Sequence, residues 1–236
     1  GYDPRAPLSL DGAARGYEAL LDADLKGRRI AWLGDLGGHL AMEDGILSLC
    51  EGGLRHLADA GLVVEPHVPA FDFETLWQAF VTLRHFMVGG KLKPLYDDPA
   101  KREKLKFAAR WEIEGGERLS AYRLYEASTV RTAWYACVLR LFERFDYLAL
   151  PSAQVFPFPV EEEWPREIAG RPMDSYHRWM EVVAPATLSG CPVASVPVGF
   201  NADGLPMGMQ IVGRPRGDLS VLQLVRTTST TESVTM

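Results

Sequence analysis

Cysteine is scarce in this sequence, and its three positions, Cys50, Cys137 and Cys191, follow no Cys-x-x-Cys or metal-like spacing. An odd and scattered set excludes a disulfide framework. It leaves reduced thiols acting as small packing residues, and hence a cytoplasmic setting, as the expectation. No uninterrupted run of about 18 apolar residues occurs, which excludes a helical membrane span. Basic residues are outnumbered, 25 against 31 acidic, for a net charge of −6. Such a chain is repelled by phosphate backbones and anionic lipid, so neither nucleic acid nor membrane is expected as a partner. The nucleotide, zinc-protease and hydrolase signatures Gly-x-Gly-x-x-Gly, Gly-x-x-x-x-Gly-Lys-Ser/Thr, His-Glu-x-x-His and Gly-x-Ser-x-Gly are missing too. The five histidines are not paired at ligand spacing, so no cofactor and no metal is expected. An initiator methionine and a basic-then-apolar leader are also lacking, and GYDPRAPLSL reads as the middle of a longer chain.

What is present is a globular composition, 47% apolar, arranged in a readable order. After a Pro- and Asp-punctuated opening and a short helical pattern at 17–26, RRIAW predicts a strand from Arg29 to Leu33 that runs into a Gly turn. Ile46, Leu47, Cys50, Leu54 and Leu57 recur at helical spacing, with Gly61 closing the helix. LVVEPHVP predicts a second strand, and FDFETLWQAFVTLRHFM a second helix with Asp72 as its N-cap. This strand–helix–strand–helix rhythm predicts an α/β fold with a parallel sheet. Residues 97–145 read as helical with a break near Gly115 and Gly116, and their arginines, interleaved with glutamates, read as a solvated face. DYLALP is a third strand, SAQVFPFPVEEEWPREIAG is too Pro-rich to be regular, and SYHRWMEVVAPATLSG is a helix ended by Gly190. CPVASVPVGF and LPMGMQIVGRP pair as a hairpin through the turn NADG.

Ser195 lies within VASVPVG, where alternation predicts a strand and no nearby residue supplies a base. Ser189 lies at a helix end, where a hydroxyl bonds local backbone. Neither reads as a nucleophile.

GYDPRAP, DYLALPSAQVFPFP and ATLSGCPVASVPVGFNADGLPMGMQIVGRP, in this order, resemble the C-terminal part of the amidase signature family, from about Gly1 to Leu224. WPREIAGRPMDSYHRWMEVVAPAT resembles the bacterial amidases and aryl acylamidases within it. The resemblance implies a mixed β-sheet with βαβ units flanked by helices, and hydrolysis of carboxylic amides by a Ser–cis-Ser–Lys triad without metal or cofactor. The Gly/Ser-rich stretch and lysine that carry the triad have no counterpart here, so no catalytic residue is assigned. The expectation is a C-terminal fragment, spanning 1–225 and inactive alone. The rival reading is a non-catalytic small-molecule-binding or interaction module built on half the fold.

The family uses this half to shape the pocket for a small-molecule amide. The loop after DYLALP follows a strand's carboxyl end, where open α/β sheets bind ligands. Gln154, Phe156, Trp164 and His177 are therefore the candidate lining residues, with an apolar or aryl amide implied. Simple core covering by Phe156 and Trp164 stands as the alternative. A homo-oligomer is compatible with the sequence. Beyond DLSVLQL the family continues as an amphipathic helix, whereas residues 226–236 are Thr-rich, poor helix formers, and are expected to be a disordered tail outside the family pattern.

Overall fold

A computed structural model describes residues 2–6, 8–9 and 16–232, with side chains as far as Thr227. Its sheet holds β1 (Arg29–Trp32), β2 (Val63–Pro66), β3 (Tyr147–Pro151), β6 (Val193–Phe200) and β7 (Pro206–Gly213) in the order β2-β1-β3-β7-β6. A separate two-stranded ribbon pairs β4 (Glu167–Ile168) with β5 (Arg171–Pro172). β1 runs parallel to both β2 and β3, and β7 runs antiparallel to β3 and β6, so the sheet is mixed. The parallel part follows from the β1–helix–β2 unit, and the antiparallel part from the hairpin at Asn201. There the Asn201 side-chain carbonyl accepts the backbone N–H groups of Asp203 and Leu205, and Gly204 takes φ +77°.

Between β1 and β2, α1 (Ile46–Asp59) buries Ile46, Cys50, Leu54 and Leu57 as one stripe. It ends as the sequence predicts. Gly61, at φ +97°, donates to Ala58 O and Leu62 donates to Leu57 O, the paired bonds of a Schellman stop. α2 (Phe73–Arg84) starts where Asp72 accepts the Thr75 N–H. It passes into a π-helical segment, His85–Gly89, and then α3 (Gly90–Asp97) and α4 (Pro99–Arg102). α5 (Phe107–Glu117) and α6 (Ala121–Leu141) follow, and α7 (Ala184–Ser189) and α8 (Asp218–Glu232) flank the hairpin.

Each face of the sheet has its own core. Ile30, Tyr147, Val196, Met209 and Ile211 pack with α1 and Leu224 of α8 on one side. Ala31, Leu148, Leu150 and Val212 pack with Trp77, Trp134, Val138 and Ala186 on the other. Each fully buried large side chain stabilises the fold by roughly 1.5–3 kcal/mol, which makes these two layers the main support of the sheet.

Three expectations change. The helix predicted over 175–190 is a 3-10 segment, Arg178–Val183, followed by α7, because Pro185 has no N–H to continue the earlier turn. The helical break near Gly115 and Gly116 falls instead at Arg118–Ser120. Both glycines stay inside α5, where a Cβ on Gly115 would sit 2.3 Å from the His85 ring. α8 also continues to Glu232, so the Thr-rich tail is helical that far, and its remaining residues lie outside the described ones.

Candidate functional site

β1 lies between its two parallel neighbours; the chain first crosses to β2 on one side and later returns to β3 on the other, so the strand order reverses between β1 and β3. The crevice outside the carboxyl ends of β1 and β3 is therefore the topological place for a ligand. Buried amides cross it. The Gln154 side chain donates to Ala41 O at 2.9 Å and accepts the Val182 N–H at 3.0 Å, while its backbone carbonyl accepts the Glu43 N–H. Gln210 of β7 donates to Pro151 O at 2.8 Å from the same layer. These buried amides tie three segments together: the loop after β1, the loop after β3, and the 3-10 segment.

The four residues singled out by sequence are all interior. Gln154 is the tie just described, 1% exposed. Phe156 packs beside Gly45 in the α1 core, and its N–H donates to Glu43 Oε2 at 2.8 Å. Trp164 packs with Ala41, Val155, Ile168 and Met173 beneath the Arg166 guanidinium, 4.0 Å from its ring centre. His177 lies apart from them, 2% exposed, with Nε2 3.1 Å from Glu112 Oε1 and its ring stacked on Trp111. The structure thus places Gln154, Phe156 and Trp164 around one loop and His177 at its junction with α5. An open groove of about 270 Å³ runs between α2 and α6 beside Gln78 and Arg123, and none of the four lines it.

Glu112 is the electrostatic centre of that junction. It is 2% exposed and bonded by Arg84 Nε at 2.5 Å, His85 Nδ1 at 3.1 Å and His177. Burial pushes its carboxyl up, but the bonds from His177 and His85 and the Arg84 charge outweigh this and hold it down at about 2. Glu181 behaves oppositely. Burial dominates and raises it, despite His39 Nε2 at 2.8 Å and Arg178 at 3.3 Å. His39, Glu74 and Glu181 bring ligand atoms within 4.8 Å of one another, the spacing of a cation site. The Arg178 guanidinium already fills that role, bonding Glu74 Oε2 at 2.6 Å. The cysteines are buried and free, and burial pushes the Cys50 thiol up to about 12, in keeping with packing rather than chemistry.

One pair escaped the sequence reading. Ser152, just past β3, and Ser195, on β6, place their hydroxyls 2.7 Å apart, across Gly208 of β7. They are 43 residues apart and their strands are not neighbours, so only knowledge that β7 lies between β3 and β6 could have revealed them. Among the described residues neither hydroxyl has a lysine or histidine partner.

A family model described as Amidase matches residues 1–222. The chain belongs to the amidase signature family. An acylamidase of Rhodococcus erythropolis is 27% identical over 94% of this chain and 46% of its own length. A component of the glutamyl-tRNA(Gln) amidotransferase of Rhizorhabdus wittichii is 29% identical over 94% of this chain and 48% of its own. The solved bacterial aryl acylamidase of this family superposes with a TM-score of 0.86 and 24% identity, over 98% of this chain and 48% of that one. The chain spans about half the length of the curated relatives it matches. Among its described residues, no helix is long and apolar enough to cross a membrane.

Proposed function

We propose that this chain is the supporting half of an amide hydrolase, and that the nucleophile and its activating lysine belong to the other half of the family fold. The carrying observation is the half-length match, 94% of this chain against 46% of the Rhodococcus acylamidase. The serines add support. Among the described side chains, Ser152 and Ser195 bond each other, Ser189 bonds Ala186 O, and Ser220 bonds Tyr147, so none of these four is paired with a base. Complete, the protein would add water across the C–N bond of a small carboxylic amide, releasing the acid and the amine, with no metal or cofactor.

In this reading Gln154, Phe156, Trp164 and His177 shape the substrate wall from behind. The aromatic series Phe158, Trp179 and Tyr176, with successive ring centres 5.4 and 6.5 Å apart, suits an apolar or aryl amide. The test joins this chain with the portion of the Rhodococcus acylamidase that it does not match, by co-expression. Hydrolysis of an acyl anilide by the pair, absent from either part alone, is the expected result. Equal turnover by this chain alone would overturn the proposal.

A further inference from the structure

Among the described side chains, five buried nitrogens have no hydrogen-bond partner: Arg110 Nε, Trp164 Nε1, His177 Nδ1, Arg178 Nη1 and Trp179 Nε1. Four of the five fall between residues 164 and 179. A buried donor left unpaired costs free energy that the fold does not recover, so such a concentration calls for a cause. Charge accounts for Arg178, whose Nη1 lies 3.3 Å from Glu181 Oε2. His177 turns Nε2 to the Glu112 carboxylate at 3.1 Å, which places its ring proton there and leaves Nδ1 a bare acceptor at the junction with α5. The two indole N–H groups have neither excuse, and an indole nitrogen can only donate. Elsewhere the fold spends such a donor, for Trp134 Nε1 donates to Pro185 O at 2.8 Å.

Both unspent donors belong to one aromatic patch beside the loops that follow β1 and β3. Trp164, 5% exposed, packs on Ala41 and Val155, and the half-buried rings of Phe158, Tyr176 and Trp179 pack against the same cluster. The Arg166 guanidinium covers one face of Trp164. The perpendicular Phe158 ring, 5.4 Å from that of Trp179, is a weaker acceptor than an oxygen. Charge narrows the ligand further. Segment 159–174 carries Glu161, Glu162, Glu163, Glu167 and Asp174 against Arg166 and Arg171, an excess of carboxylate that repels an anion. A cation would suit the charge and the rings, but it has no lone pair for the indole N–H groups. A neutral oxygen carried on a flat apolar body satisfies both conditions.

We propose that Trp164 and Trp179 are specificity-determining residues, their indole N–H groups donating to a neutral oxygen borne by the aryl group of the substrate, as in an alkoxy or carbonyl substituent. The inference rests on the aryl-amide hydrolase reading and narrows its substrate to ring-oxygenated aryl amides. The ring enters at the half-exposed rim of Phe158, Tyr176 and Trp179. Its oxygen displaces no bond of the fold, since neither indole has one to lose. An unsubstituted ring leaves both donors unpaired, and that difference makes the site discriminate.

Nitrogen–proton correlation spectra of the chain alone test it through its six indole N–H groups. Titration with 4-methoxyacetanilide should move two of the six downfield and leave Trp134, already bonded, in place. Trp164→Phe and Trp179→Phe, which keep a ring and delete the donor, should each remove one of the moving resonances. Acetanilide should bind roughly tenfold more weakly than its methoxy derivative, and either variant should erase most of that preference while still binding acetanilide. The charged probe 4-acetamidobenzoate should bind more weakly than either. Equal affinity for acetanilide and 4-methoxyacetanilide would overturn the proposal, as would tighter binding of the carboxylate. Indoles of Trp164 and Trp179 that none of the three compounds moves would overturn it too, and would assign water as their partner. Hydrolysis of acetanilide by the co-expressed pair would keep the hydrolase reading standing through any of these failures. A pair inactive on both neutral anilides, with the two indole shifts present, would overturn the hydrolase reading instead.

Discussion

At the scale of single residues, Glu112 carries the clearest consequence. Its carboxyl falls from an ordinary 4.5 to about 2 in the fold. A depressed carboxylate contributes stability that is present above its unfolded value and is lost as pH falls through the folded one. That contribution is roughly 3 kcal/mol by linkage. Urea unfolding at a series of pH values should therefore show stability falling between about 4.5 and 2, and Glu112→Gln should flatten this limb. Glu181 has the opposite sign: its raised carboxyl favours the fold at low pH, and this benefit is lost as pH rises through its folded value. Glu112→Ala leaves the buried His177 and His85 and the partly exposed Arg84 without their shared carboxylate and should cost about 3–5 kcal/mol. Gln154→Ala leaves Ala41 O and the Val182 N–H unpaired and should cost about 2–3 kcal/mol in the same assay. A cost under half that would mean the amide is not the tie between the loops.

Among elements, the crossing of the π segment and α5 depends on glycine. A Cβ on Gly115 would enter the His85 ring and one on Gly89 would come within 2.6 Å of Glu112 O, whereas Gly90 has nothing within 4 Å. Gly115→Ala should lower stability by about 2–3 kcal/mol. Gly90→Ala, helical and unobstructed, should raise it by about 0.5–1 kcal/mol. Thermal melts of the two variants, moving in opposite directions, check the assignment.

The same crossing marks where the sequence stops being legible. Local signals were enough for the Asp72 cap, the Gly61 and Gly190 stops, the apolar run of β3 and the Asn201 hairpin, since each depends on residues a few positions apart. In isolation, Gly115 and Gly116 signal a helix break. They remain helical because His85, 30 residues earlier in the sequence, occupies the space that side chains would take. His177 looked like a pocket residue beside Tyr176 and Trp179, and nothing local told of Glu112 on α5. The crevice could be placed from strand order, but the bonds of Gln154 to Ala41 and Val182 could not. The Ser152–Ser195 contact likewise needs the β3–β7–β6 order before it can be seen.

For the whole molecule, two packed layers stabilise a sheet whose edge strands are β2 and β6. The proposed half-fold reading rests on the coverage of 46% of the Rhodococcus acylamidase, and the Ser152 and Ser195 hydroxyls bond each other. Removal of a nucleophile and its base from a hydrolase costs several orders of magnitude in rate. The most direct measurement follows release of aniline from an acyl anilide by the purified chain, alongside labelling with a serine-reactive fluorophosphonate. The account predicts no turnover above the buffer rate and no labelled serine. Turnover that disappears in Ser195→Ala, with probe attached to Ser195, would contradict it.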